Sequence, residues 1–409
     1  MPERIKIFNV QFGDCFLLET PTNDAAMLVD FGSTRRIAPN VVCDVNSSLG
    51  AYARKYLLIS HFHSDHYSGI QNLANNIIFD EVYLPNFFCR EVIRLELIML
   101  ALLSPLSRSH NIALNLLTVV PNLLNHLNPC SRIYYVNRGR RIYNMTDNYR
   151  VLWPDGSEIR MDATRLYGQL VNYYGLNDIL TEFESLVDGY MEIFPELERN
   201  EDYNNVMSFN ERYLEQRQEI LTSAQNIINQ TMELFARVRR EIGGYVRAFS
   251  RRITSFQNQI SICFDSTNNR RNDMSGTALF LSDIDTANFQ RILSETNGFR
   301  LREEYRAVKV AHHGTKDYFV CNLPSSEFLI ISNGTAPSNG WRIFALYGWH
   351  YSDRTMICTN YHNACDYELS YSKCGAYCLN TCTRNSDACE RCGNGKSVCG
   401  INCSYDLNL

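Results

Sequence analysis

The sequence predicts an α/β protein made of two β-rich halves, with a helical insertion between them and a cysteine-rich segment after them. Three observations predict it. Short alternating or continuously apolar runs bounded by turn residues recur over residues 1–157 and again over 256–357, as strands do. Across 158–255 the spacing becomes helical: Ile179, Phe183, Val187 and Tyr190, then Ile220, Ala224, Ile227, Thr231, Leu234, Val238 and Ile242. Finally, nine of the 15 cysteines lie between Cys358 and Cys403.

The elements follow in chain order. "RIKIFNV" alternates and reads as a strand, "FLLET" as a second, and "AMLVDFGS" as a third ending at Asp30. "KYLLIS" is a short apolar run that delivers His61 onto the next loop, and "IIFDEVYLPN" is another strand with its flank. Residues 91–128 read as helical, interrupted at Pro105 and Pro121. "RIYYVNRG" and "YRVLWPDGSE" read as strands. Strand signals then vanish, and the second helical run of the insertion continues unbroken to a stop at Gly243–Gly244. Strands resume with "ISICF", "TALFLSDID", "AVKVAHHG", "EFLIISNG" and "TMICTN".

The chain has 409 residues, 45% hydrophobic and 20% charged, with net charge −5. That composition is ordinary for a globular core plus an insertion, and it makes no global electrostatic case for nucleic acid or a membrane surface. The longest apolar run, Leu97–Leu103, is far short of the roughly 20 residues that span a bilayer. The opening "MPERIKIFNVQFGDC" contains no apolar signal core, so the expectation is a soluble, cytoplasmic protein without a membrane partner. In that setting a terminal cysteine cluster points to metal before disulfides.

The densest chemistry is "LLISHFHSDHYSGI", where His61, His63, Asp65 and His66 follow a strand. His61 and His63 are two apart on a tight loop, so their rings can reach one ion from the same side. Asp65 and His66 point to a neighbouring position. Imidazole and carboxylate are ligands that zinc, manganese or iron accept. Two such ions hold a hydroxide at neutral pH and clamp a phosphoryl or carbonyl oxygen.

The H-x-H-x-D-H form resembles the signature of the metallo-β-lactamase fold superfamily. "FNVQFGDCFLLE" looks like its opening hairpin, "MLVDFGS" like its Asp-x-Gly strand end, and "ALFLSDID" like the strand whose aspartate bridges two metals. "KVAHHGTKD" is similar to the His-His-Gly-Ser/Thr element of the branch that includes the hydrolase domain of ComEC/Rec2-type DNA-uptake proteins. The resemblance implies a four-layer αββα sandwich over residues 4–335, apart from the insertion, and two divalent ions (Zn, or Mn or Fe). It implies His61 and His63 at the first metal, Asp65 and His66 at the second, and Asp283 bridging them. Asp65, His66 and Asp283 carry the catalytic role. Asp283 reads alternatively as a helix N-cap. His313 is the next ligand, with His312 either its neighbour or the ligand itself. Asp30 and Asp14 lie under the metal site in the resembled fold; Asp30 is expected to orient a ligand histidine, and Asp14 reads equally as a turn residue. The branch's late Tyr-Gly-His-Pro element has no counterpart in "NGTAPSNGWRIF"; His350, at the end of the helical "RIFALYGWH", and His362 lie downstream.

Two further constellations remain. The segment 358–409 has few large apolar residues and must be held by something covalent or metallic. Cys374, Cys378, Cys389, Cys392, Cys399 and Cys403 are candidates for a structural zinc, with a disulfide framework as the alternative and partner binding as the role. In the insertion, Arg237, Arg240, Arg247 and Arg251 would share one face if the helix continued across Gly243–Gly244. Arg240, Arg247 and Arg251 are the candidate grip on a nucleic-acid backbone, and a solvated face is the alternative. The insertion is expected to fold over one rim of the site. The functional expectation is metal-dependent hydrolysis of a phosphodiester, in nucleic acid or a nucleotide. The rival is a scaffold working through the insertion and tail.

Overall fold

The computed structural model describes residues 4–10, 12–20, 22, 24–34, 36–86, 89–103, 123–128, 130–142, 149–193, 206–208, 217–242, 256–266, 277–295, 300–332, 347, 350–351, 353–359, 377–378 and 404–408. Two mixed sheets of eight strands form its centre. The first contains β1 (Arg4–Phe8), β2 (Cys15–Thr20), β3 (Ala25–Phe31), β4 (Arg54–Leu58), β5 (Glu81–Pro85), β6 (Arg132–Val136), β9 (Val206–Ser208) and β16 (Ser404–Asn408), in the order β16-β1-β2-β3-β4-β5-β6-β9. The second contains β7 (Arg141–Ile142), β8 (Tyr149–Trp153), β10 (Cys263–Ser266), β11 (Ala278–Phe280), β12 (Glu304–Lys309), β13 (Ser325–Ile331), β14 (Thr355–Cys358) and β15 (Tyr377–Cys378), in the order β15-β14-β13-β12-β11-β10-β8-β7. Within each sheet one block runs parallel, β3 to β6 and β11 to β15, and the remainder pairs antiparallel.

Alternation along the strands sorts side chains into three apolar layers. Ile5, Ile7, Phe16, Leu18, Met27 and Val29 of the first sheet meet Val151, Phe264, Phe280, Ala307 and Ile330 of the second, and this layer joins the sheets. The opposite faces are covered by helices. Leu17, Leu28 and Leu57 pack under α1 (Pro39–Gly50) and α3 (Arg90–Leu103). Leu279, Val308 and Leu329 pack under α8 (Thr286–Ser294).

The insertion helices are α4 (Gly156–Tyr174), α5 (Leu180–Ile193), α6 (Arg217–Leu234) and α7 (Ala236–Ile242). α4 starts two residues before the expected boundary, because Asp155 caps it by accepting from Ser157 N–H. Ile159, Ala163, Phe183, Val187, Ala224 and Phe235 join the same core as α3 and the first sheet, so these helices extend the outer layer. Three sequence expectations are corrected. The insertion is not purely helical: β9 pairs antiparallel with β6 at a sheet edge. The second helical run is not continuous, since Phe235, fully buried, interrupts it between α6 and α7. The end of the cysteine-rich segment is not outside the core, because β16 forms the edge of the first sheet against β1 and buries Leu407. No helix among the described residues is long and apolar enough to cross a membrane.

Candidate metal centre

Five strand ends meet where the two sheets open: β3, β4, β11, β12 and β13 each end their parallel run there. After β4, Ile59 N–H still bonds Tyr83 O at 3.0 Å, which holds the loop start to the sheet. Phe62 is fully buried in the apolar layer. In extended backbone that anchor turns His61 and His63 to the opposite side. His63 then begins α2 (Ser64–Tyr67), one turn that brings Asp65 and His66 around to the same point. Two glycines permit the close approach of the loops beneath. A Cβ at Gly32 would collide with the backbone nitrogens of His66 and Tyr67, and one at Gly13 with Gly32 O. Asp14 N–H donates to Asp65 O at 3.0 Å and Gly32 N–H to Asp14 O at 3.1 Å.

The second sheet supplies the other half. Asp283 follows β11, His312 and His313 follow β12, and Ser332 follows β13. The N-cap of α8 is Asp285, which accepts from Asn288 N–H at 2.7 Å. Asp283 is therefore not the cap and faces the centre. The backbone is bent to do this: Asp30, Ser282, His312 and His313 all have left-handed φ, between 44° and 55°. Each costs about 1–3 kcal/mol, and strain of this kind concentrates at working sites.

The donor atoms form two groups that share Asp283. His61, His63 and Asp283 bring one donor each within 4.8 Å of one another, and so do Asp14, His66, Asp283 and His313. Asp283 Oδ2 is 3.6 Å from His61 Nε2, 3.4 Å from His66 Nε2, 3.6 Å from His312 Nε2 and 3.8 Å from His313 Nε2. His61 Nε2 faces His63 Nδ1 at 2.9 Å, and His313 Nε2 faces Asp65 Oδ2 at 3.2 Å.

The nitrogens pointing away are held. His66 Nδ1 pairs with Asp30 Oδ2 at 2.8 Å, and Asp30 is itself fixed by Ser60 N–H and Ser60 Oγ, both at 2.7 Å. His61 Nδ1 is 3.2 Å from the same hydroxyl. His312 Nδ1 pairs with Thr315 Oγ1 at 2.6 Å. His313 Nδ1 is 3.1 Å from Asp14 Oδ1. The other Asp14 oxygen takes Lys309 Nζ at 2.6 Å, and Ser332 Oγ donates to Asp14 as well. Asp14 thus has both oxygens committed and orients His313. This pattern fixes four imidazoles with Nε2 inward.

Charge reinforces the geometry. Burial, with His66 nearby, drives His61 well below its ordinary range, and burial takes His63 to about 4 and lowers His312. Those rings are neutral and offer lone pairs. Burial opposes charge on His66 and His313 too, yet Asp283 and Asp30 raise His66, while Asp14 and Asp283 raise His313 to about 9. Burial likewise opposes ionisation of Asp283, but His312, His66 and His313 hold it well below the carboxylate range. The centre is a set of carboxylates and imidazoles that demands buried positive charge. His66 Nε2, His63 Nε2 and Asp283 Oδ1 are buried without a hydrogen-bond partner among the described residues. Buried polar groups are rarely left so, and a cation is the partner this donor set fits. The cluster of Asp14, His66, Asp283 and His313 can hold a metal ion.

All the residues expected at the metal, His61, His63, Asp65, His66, Asp283, His312 and His313, converge here, and Asp30 lies beneath them as expected. The choice between His312 and His313 does not arise, since both imidazoles face Asp283. His350 does not join them: it is exposed and bonds Cys321 O at 2.7 Å. Lys309, buried beneath the centre, was missed, because a lysine at the end of "AVKV" carries no local signal of its partners. Arg240 is exposed on α7, with Nε 3.3 Å from Ala236 O of its own helix; Arg247 and Arg251 lie outside the described residues. So do Cys374, Cys389, Cys392, Cys399 and Cys403, His362 and the side chain of Cys378, and with them the expected tail zinc. The described insertion helices pack beside α3, and the segment that reaches the centre from that side is 256–262, where Ile262 N–H bonds Ser60 O at 2.8 Å.

Searches against family models, curated proteins and solved structures return no match.

Proposed function

We propose that this chain is a metal-dependent hydrolase of the metallo-β-lactamase type, holding two divalent ions (zinc, or manganese or iron) on either side of Asp283. The observation that carries the reading is the sharing of Asp283 Oδ2 by four inward-facing imidazoles whose opposite nitrogens are tied down. His61, His63 and His312 would hold one ion, and Asp65, His66 and His313 the other. Ions so held lower the pKa of water and polarise a phosphoryl or carbonyl oxygen.

The chain's own residues do the remaining work. Asp30 and Asp14 fix the tautomers of His66 and His313. Lys309 balances the carboxylates from below and donates to Ser282 O at 3.2 Å. His61, His66 and His313 are sealed, whereas His63 is partly exposed and Asp65 and His312 keep 13% and 22% of their side chains exposed, so substrate enters on that side. A phosphodiester, in nucleic acid or a nucleotide and met in the cytoplasm, is the substrate class favoured by the resemblance of "KVAHHGTKD". The test uses full-length chain stripped with chelator and reloaded with zinc or manganese. Hydrolysis of bis-p-nitrophenyl phosphate should disappear on stripping and return on reloading. A reloaded protein that cleaves p-nitrophenyl acetate but no diester would exclude the phosphodiester, and one inert to both would exclude the hydrolase.

A further inference from the structure

The four imidazoles that face Asp283 are not braced alike. His66 and His313 lean on the buried carboxylates of Asp30 and Asp14, and His61 on the buried Ser60 hydroxyl. His312 is partly exposed and has a left-handed backbone, with φ 44° and ψ 55°. Its Nδ1 is held by the hydroxyl of Thr315, which is itself partly exposed. One such bond leaves the ring free to tilt about the bond axis, and the second side-chain torsion of histidine has broad wells that do not stop it.

An aromatic ring closes that freedom. Thr315 N–H donates to His312 O at 2.9 Å and Tyr318 N–H to Thr315 O at 3.0 Å, two successive turns that carry Tyr318 back over His312. The rings lie 4.0 Å apart between centroids and within 5° of parallel. The other ring contacts of these imidazoles among the described residues are tilted or edge-on. Tyr318 is in turn tethered, because its hydroxyl oxygen accepts from Asn258 Nδ2 at 2.9 Å and Asn258 is buried. The segment bearing Asn258 is fastened on either side: Gln257 Nε2 donates to Glu96 Oε1 of α3 at 3.4 Å, and Ile262 N–H to Ser60 O at 2.8 Å.

We propose that Tyr318, tethered by Asn258, is a positioning residue that sets the plane of His312 and thereby the affinity of one ion of the pair. The inference rests on the two-metal reading above. It assigns Tyr318 no contact with substrate and no proton transfer. Partners that orient a ligand imidazole typically carry ten- to a hundredfold of metal affinity. That loss falls on the ion assigned to His61, His63 and His312. The ion assigned to Asp65, His66 and His313 is braced by Asp30 and Asp14, which Tyr318 does not touch.

The test is a manganese titration of the full chain, stripped with chelator and followed by electron paramagnetic resonance, with no turnover required. Manganese favours oxygen ligands over thiolates, which keeps the tail cysteines out of the count. The parent should take up two ions. Tyr318→Leu, which removes ring and tether, should keep one ion near the parent's affinity and weaken the other ten- to a hundredfold. Tyr318→Phe, which restores the ring face alone, should recover most of that loss. A merely structural role would weaken both ions together. That result, an unchanged Tyr318→Leu, or a Tyr318→Phe no better than Tyr318→Leu would overturn the positioning role while leaving the two-metal reading intact. A parent that takes up fewer than two ions would overturn that reading itself, and this assignment with it.

Discussion

Replacing His61 and His63 together with alanine should abolish diester hydrolysis, by on the order of a thousandfold, since a Lewis-acidic ion contributes several kcal/mol to the transition state. The two rings face each other at 2.9 Å and both point toward Asp283, so their loss removes one donor group entirely. The fold should survive. Phe62 stays anchored in the apolar layer, Ile59 still bonds Tyr83 O, and the deleted rings occupy the donor cluster rather than the sheet packing. Elemental analysis and far-ultraviolet circular dichroism check both halves of the expectation. A variant that keeps its full metal content and its rate would remove His61 and His63 from the centre.

A second large effect is expected far from the metal ligands. Glu96 lies on α3, 3% exposed, with Gln257 Nε2 at 3.4 Å as its hydrogen-bond partner and its Oε2 without one among the described residues. Burial, against that weak bond, pushes its carboxyl from 4.5 up to about 8. The sign follows from linkage. The folded state holds the proton to higher pH than the unfolded state does, so stability falls as pH rises from about 4.5 toward about 8. At about 1.4 kcal/mol per unit, the loss at neutral pH is on the order of 3 kcal/mol. Glu96→Gln retains the shape and removes the titration. Its advantage over the parent in chemical denaturation should be small near pH 5 and grow to on the order of 3 kcal/mol near pH 7. A difference independent of pH would mean that Glu96 is not buried as described.

Much of this was legible in the chain. The strands bearing the centre are short apolar runs with sharp turn residues at their ends, and His61, His63, Asp65 and His66 follow one of them within six positions. Period and punctuation are local, so sequence carries them. The parts that were not legible depend on partners distant in sequence. Asp14 reads equally as a residue under the site and as a turn residue until β13 and β12 bring Ser332 and His313 to it. β9 has three residues, too few to show a period, and β16, "SYDLN", is an edge strand with mixed polarity. α1, "PNVVCDVNSSLG", buries Val41, Val45 and Leu49 at i, i+4 and i+8, a stripe obscured in sequence by the polar and β-branched residues of low helix propensity around it.

The most direct test of the proposed two-metal centre is anomalous diffraction at the metal absorption edge, on crystals of the full chain loaded with zinc or manganese. The full chain is required because β16 pairs with β1 at the edge of the first sheet. Two peaks are expected flanking Asp283, one beside His61 Nε2 and His63 Nδ1 and one beside His66 Nε2 and His313 Nε2. A single peak there, or none, would contradict a two-metal hydrolase.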